Sequence, residues 1–177
     1  MITPISDTLN QILFDHPPKS ILCIGDGVHD ALKDFLAKYP QCTVLEVNIF
    51  QLKNCQMDLT KIIDWQDHKS NYDFGIIANT IEHLEKNDAD HLLAQLRDLY
   101  SKKLLVVVPI GDQWHDHQST WQNIDLLALG FVNKTKIRIA QKPVHIYAFD
   151  IASYKTTPDW LNNKYWANPE LWDKYWW

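Results

Sequence analysis

The sequence predicts one α/β domain with helices on both faces of a mostly parallel sheet that ends in an antiparallel hairpin. Three observations predict it. Ser20-Ile-Leu-Cys-Ile-Gly25 is a continuous apolar run of strand length, the pattern of a strand buried on both faces. Helical spacing takes over directly after the Gly25-Asp-Gly27 break. Near the end, Lys136-Ile-Arg-Ile139 and Val144-His-Ile-Tyr-Ala-Phe149 alternate with period two, as the strands of a hairpin with one wetter face do.

The remaining elements follow in order. Ser6 or Asp7 caps a lead-in helix carrying Leu9, Ile12, Leu13 and Phe14, and Pro17-Pro18 ends it. After the glycines, Val28, Ala31, Leu32, Phe35, Leu36 and Tyr39 keep one helical stripe up to Pro40. Cys42 to Val47 reads as a strand, Ile49 to Asn54 as a short helix and Tyr72 to Ala78 as another buried strand. Asn87 or Asp88 caps a helix with Ala89, Leu92, Leu93, Leu96, Leu99 and Tyr100 on its apolar side, and Lys103 to Pro109 is strongly strand-like. Ser119 to Leu129 reads as one more helix with Gly130 at its end, and the hairpin turns around Gln141-Lys142-Pro143. The expected organisation is a single domain over 1–177, with a core at 19–151 and a tryptophan-rich tail at 157–177 that holds Trp160, Trp166, Trp172, Trp176 and Trp177.

Composition narrows the function classes. The 177 residues carry a net charge of −5 without any Lys/Arg run, so the electrostatic footprint for nucleic acid or anionic lipid is missing and neither partner is expected. No apolar run reaches the length of a membrane span, and Met-Ile-Thr-Pro-Ile-Ser-Asp has no positive leader region, which reads as cytoplasmic. Cys23, Cys42 and Cys55 lie in or beside apolar segments without C-x-x-C spacing and read as small core residues.

The chemistry-bearing constellation begins at Gly25-x-Gly27. A strand-to-helix turn with small residues lets main-chain N–H groups approach a polar ligand, although glycine there also serves a turn that simply needs positive φ. Glu46 stands 19 residues past Gly27 at the end of the second strand, close to the spacing at which a carboxylate meets ribose hydroxyls in nucleoside-binding sheets. A solvated strand-end Glu is the alternative.

On these residues the chain resembles the class I S-adenosylmethionine-dependent methyltransferases from about Ser20 to Ile151. Ile21-Leu-Cys-Ile-Gly-Asp-Gly27 is similar to that family's first motif, Thr43-Val-Leu-Glu46-Val47 to the second, and Met57-Asp58-Leu59 to its acidic step. Tyr72-Asp-Phe-Gly-Ile-Ile-Ala-Asn79-Thr80-Ile-Glu82-His83-Leu84 resembles its fourth strand and following turn, and the closing hairpin resembles its inserted last strand. The resemblance implies a Rossmann-like methyltransferase fold with a seven-stranded sheet and S-adenosyl-L-methionine as cofactor. It implies that Gly25, Asp26 and Gly27 face the methionine end, Glu46 the ribose, and Asp58 and Leu59 the adenine, with Ile24 and Val47 also among the cofactor-binding residues. Asn79 and Thr80 would border the sulfonium and the acceptor, a small molecule or a protein. Three positions depart from the pattern. Cys23 stands where an acid is usual, His29 where a third small residue is usual, and Ser101-Lys102-Lys103 where a glycine-rich turn is usual; the chain therefore reads as a diverged member.

His83, just after that turn, is the candidate general base, with a hydrogen-bonded helix-start histidine as the structural alternative. No metal is assigned, but Glu82 and His83 resemble part of a metal-assisted O-methyltransferase site, and His115 and His117 are the residues that could join them. Two rivals stand beside methyl transfer. One is a catalytically silent scaffold that uses the tail as a contact surface or homodimer patch. The other is an NAD-linked oxidoreductase, disfavoured because the third glycine of a dinucleotide fingerprint and a Tyr-x-x-x-Lys pair are both missing.

Overall fold

The computed structural model describes residues 3–61 and 72–154, together with Asn168 and Lys174. The tail expected to pack or to pair therefore lies almost wholly outside the described residues. Six strands form one sheet: β1 (Ser20–Ile24), β2 (Thr43–Val47), β3 (Tyr72–Ala78), β4 (Ser101–Pro109), β5 (Val132–Ile139) and β6 (Lys142–Asp150). Their order is β2-β1-β3-β4-β6-β5, with the first four parallel and β6 antiparallel to both neighbours. The described residues thus hold one strand fewer than the seven expected. Residues 62–71, between the turn at Leu59–Lys61 and β3, lie outside the described part.

The central strand shows why a continuous apolar run was needed. Ile21 and Cys23 pack into one core layer while Leu22 and Ile24 pack into the other, and all four are fully buried. The first layer is closed by Ile5, Leu9 and Leu13 of α1 (Thr3–Asp15), Val28 of α2 (Val28–Ala31) and Phe35 of α3 (Lys33–Lys38). The second is closed by Leu52 of α4 (Ile49–Asn54), Leu92 and Leu93 of α5 (Lys86–Gln95) and Leu126 of α6 (Asn123–Ala128). A last short helix, α7 (Ile151–Tyr154), follows β6. No helix among the described residues is long and apolar enough to cross a membrane.

Several boundaries differ from the sequence reading, each for a local reason. The single helix expected from Val28 to Tyr39 is broken at Leu32 because Asn10 of α1 inserts into its hydrogen-bond ladder. The Asn10 amide donates to the Ala31 carbonyl (2.8 Å), and the Phe35 N–H, which would otherwise close that turn, donates to Asn10 Oδ1 (3.2 Å). α5 starts at Lys86, before Asn87 or Asp88, and leads into a wide helical turn over Leu96–Tyr100; β4 then begins two residues early, at Ser101. Ser119 to Gln122 is not helical, since the chain there is tied down elsewhere. The hairpin turn sits at Ala140 (φ 48°) and Gln141 (φ 67°), both left-handed as a two-residue turn between twisted strands requires.

Candidate functional site

In an open parallel sheet the ligand crevice lies beyond the carboxyl ends of the strands, where the connections diverge to opposite sides. Here that point is between β1 and β3, since the chain goes from β1 outward to β2 and later continues from β3 to β4. Four segments meet there: the turn after β1, the end of β2, the turn after β3 and the loop after β4.

The first and third are clasped together. A Cβ on Gly25 would lie 2.0 Å from the Ala78 carbonyl oxygen and 2.2 Å from Thr80 Oγ1, and its φ is +101°. Gly25 is therefore demanded by the close crossing of the two strand ends, before any ligand is considered. Its N–H donates to the Val47 carbonyl (2.8 Å), which binds the end of β2 to the same turn. Asn79, in the left-handed region at φ 50°, donates from its amide to the Asp26 carbonyl (3.2 Å) and closes the opposite side.

The structure sorts the expected contact residues by exposure. Asp26, Glu46 and Asn79 are exposed on the rim, and Gly27 and Asp58 are half-buried. Ile24, Val47 and Leu59 are fully buried. Thr80, expected beside the acceptor, is also fully buried, with its hydroxyl donating to the Ala78 carbonyl (2.8 Å). It shapes the turn, and Asn79 alone of that pair reaches the rim. Cys23 pairs in register with Glu46, and burial together with the Glu46 charge pushes its thiol up to about 12, so it is neutral.

Two features were missed by sequence reasoning. His29 Nδ1 stands 3.4 Å from Glu46 Oε2, with both side chains nearly half exposed, so the acid expected to grip a ribose has a neighbour of its own. Gln56 (φ 55°) and Met57 (φ 61°) are consecutive left-handed residues immediately before Asp58, and neither residue type announces this conformation. Asn79 is a third non-glycine residue of positive φ.

Beside Asn79 and Thr80, the turn Ile81–His83 brings chemistry-bearing groups together with the loop after β4. Glu82 is 3% exposed, and its Oε2 accepts the Thr80 N–H (3.0 Å). Burial pushes its carboxyl above the ordinary value, opposed by amide hydrogen bonds and by His83. The ring of His117 lies edge-on to that of His83, centroids 5.4 Å apart, and stacks on Trp114 at 5.1 Å. Burial, then His83, holds His117 below the ordinary imidazole value; Lys142 acts in the same sense and Asp116 against it. Donor atoms of Glu82, His83 and His117 all lie within 4.8 Å of one another. His115 is exposed and is not one of the three. A groove of about 400 Å³ borders this cluster, lined by Met57, which precedes Asp58, and by Leu84 and Gln118, which follow His83 and His117.

Trp121 is buried at 1% exposure and anchors the loop, its indole N–H donating to Ser119 Oγ (3.0 Å). Trp114 remains half-buried at the rim.

Comparison with solved structures bears out the fold. The chain is similar to the methyltransferase domain of bacterial CtHen1-C, with a TM-score of 0.58 and 16% identity, covering 83% of this chain and 96% of that one. It is also similar to the magnesium protoporphyrin IX methyltransferase of Synechocystis PCC 6803 with bound SAH (TM-score 0.53, 13% identity, covering 82% and 81%). A third similar structure is an O-methyltransferase family protein from Burkholderia thailandensis (TM-score 0.54, 9% identity), where the match covers 83% of this chain but only 55% of that one. At these identities the likeness establishes a methyltransferase-like fold. No curated protein matches the sequence significantly. The match that spans the sequence from residue 3 to residue 177 is to one family model, and the chain belongs to that family, described as "Family of unknown function (DUF6231)".

Proposed function

We propose that the protein binds S-adenosyl-L-methionine at the β1/β3 divide and transfers its methyl group to a small molecule or a protein. The observation that carries this reading is the convergence of the Gly25–Gly27 turn, the exposed Glu46 carboxylate and Asn79 around one crevice at the switch point. The solved relatives bound to SAH support it. Glu46 would accept the ribose hydroxyls, Asp58 would lie toward the adenine, and the main chain from Asp26 to Gly27 would face the methionine end. When bound, the cofactor supplies a methyl group already activated on a sulfonium, so the residues around it need only align the acceptor. Any helix-dipole contribution at this turn is small, because α2 is four residues long.

Isothermal titration with S-adenosylmethionine and with its demethylated product tests the proposal. Micromolar affinity for either, weakened in Glu46→Ala, is the expected result, and no heat with either overturns it. One observation favours a second reading, a silent binding or scaffold protein of the same fold. The His29–Glu46 contact occupies the carboxylate that a ribose would need, and in that case both titrations stay flat. An NADH titration is expected to show no binding.

A further inference from the structure

We propose that Glu82, His83 and His117 form a site for one divalent transition-metal ion of the zinc type, with an open coordination position toward the rim of the sheet.

Donor spacing is the first argument. Zinc bonds to imidazole nitrogen and carboxylate oxygen are about 2.0–2.2 Å long, so ligands around one ion stand roughly 3–4.4 Å apart. The three donor atoms here already lie within 4.8 Å of one another, so small side-chain rotations close the set.

Donor chemistry is the second. One carboxylate and two imidazoles suit zinc and its neighbours in the first transition row, whereas magnesium and calcium take oxygen ligands. Three protein ligands are also the number found where an ion keeps a position free for water or another oxygen atom.

Charge is the third. Glu82 is almost fully buried, and no Lys or Arg among the described residues forms an ion pair with it. An ionised carboxylate in such a place is costly unless a cation or several hydrogen bonds balance it, and the donors that reach it, the main-chain N–H groups of Thr80 and of Glu82 itself, carry no net charge. A divalent ion would supply the missing countercharge.

The fourth argument is that the two contributing loops are fastened to each other before any ion arrives. The N–H groups of Gln118 (2.8 Å) and Ser119 (3.1 Å) both donate to the Glu82 carbonyl, and Ser119 Oγ donates to the Ile81 carbonyl (2.9 Å). His117 is thus held one residue from a backbone clamp on Glu82, and its ring plane is set by the stacked Trp114. This is the outer support that a precise metal site requires.

The test uses the full chain, stripped with a chelator and titrated with Zn²⁺ by calorimetry and with Co²⁺ by visible absorption. The expected result is one ion per chain at micromolar affinity or tighter, with Co²⁺ absorption bands of low-coordinate N/O ligation and no comparable heat from Mg²⁺. His83→Ala, His117→Ala and Glu82→Gln should each weaken Zn²⁺ binding at least about tenfold, while His115→Ala and His91→Ala should not. Circular dichroism on each variant separates lost ligands from lost fold, and the isosteric Glu82→Gln guards against the latter. The proposal is overturned by the absence of Zn²⁺ binding, or by affinity unchanged in the His83→Ala/His117→Ala double variant, which would assign the ion to adventitious surface histidines. Because no cofactor is added, failure here leaves the S-adenosylmethionine reading standing, and failure of that reading leaves this one.

Discussion

His29 Nδ1 and Glu46 Oε2 stand 3.4 Å apart beyond the carboxyl end of the sheet, which makes the imidazole a direct competitor for any diol that Glu46 would hold. The two residues therefore act on cofactor affinity with opposite signs. A half-exposed pair of this kind is worth at most about 1 kcal/mol, so His29→Ala should tighten S-adenosylmethionine binding by up to about fivefold. Glu46→Ala removes the acceptor and should weaken it at least about tenfold. Calorimetry on the two variants reads both signs, and a loss of affinity in His29→Ala would show that the imidazole helps to hold the ligand.

Gly25→Ala should fail for a structural reason. The added methyl group meets the Ala78 carbonyl at 2.0 Å, which is backbone and has little room to yield, at a φ of +101° that alanine rarely adopts. Strain and overpacking together cost about 3 kcal/mol or more. Urea denaturation should show that loss, and a variant as stable as the parent would mean that the β1 and β3 ends are free to separate.

The apolar runs made the central strands legible, because full burial on two faces leaves a pattern that local reading detects. The place of Glu46 near the end of β2 was legible for a similar reason, since an apolar run of strand length carries it. What escaped depends on groups far apart in sequence. The break at Leu32 is caused by Asn10, which no periodicity within 28–39 contains. The burial of Trp121 depends on its indole partner, Ser119, which is itself set by a bond to Ile81. The approach of His117 to Glu82 rests on long-range bonds from residues 118 and 119, two of them from the main chain, which no local pattern announces. The left-handed Gln56 and Met57 escaped because both residue types ordinarily avoid that region.

Asp73 predicts a pH-dependent term in stability. Its carboxylate accepts the Lys19 N–H (2.9 Å) and pairs with Lys102 Nζ (2.8 Å), joining the start of β1 to β3 and β4. Burial pushes its pKa up, but the Lys102 and Lys19 hydrogen bonds outweigh this and hold it below the ordinary 3.8. A depressed folded-state value means that the stabilisation is present above the unfolded pKa and is lost as pH falls through the folded one. Asp73→Asn should cost about 1 kcal/mol at pH 7, and the gap from the parent should close as pH drops below about 4. Paired denaturation curves at neutral and acid pH check it; a constant gap would mean that the ionised form is not what stabilises.

The thiols should separate by accessibility. Cys23 and Cys55 are buried, and with its pKa near 12 Cys23 holds almost no thiolate at pH 8, whereas Cys42 is half-buried. Ellman titration of the native protein should show one reacting thiol, from Cys42, and three after denaturation. Prompt reaction of Cys23 would show that the β1–β2 interior opens to solvent.

Ser119 joins the loop to the site, and its removal should be felt at both. Its hydroxyl accepts the Trp121 indole N–H and donates to the Ile81 carbonyl, so Ser119→Ala leaves a buried indole N–H and a buried carbonyl each without that partner. Unpaired buried groups of this kind cost about 1–3 kcal/mol. The Gln118 and Ser119 main-chain bonds to the Glu82 carbonyl survive the substitution, so the loop should loosen without leaving. Thermal melting should register the lost stability, and Zn²⁺ affinity should fall about tenfold, less than in His117→Ala, because the ligand is retained but less well held. If Ser119→Ala melts early yet binds Zn²⁺ as tightly as the parent, the hydroxyl serves the core alone and the clamp on His117 is carried by the main chain.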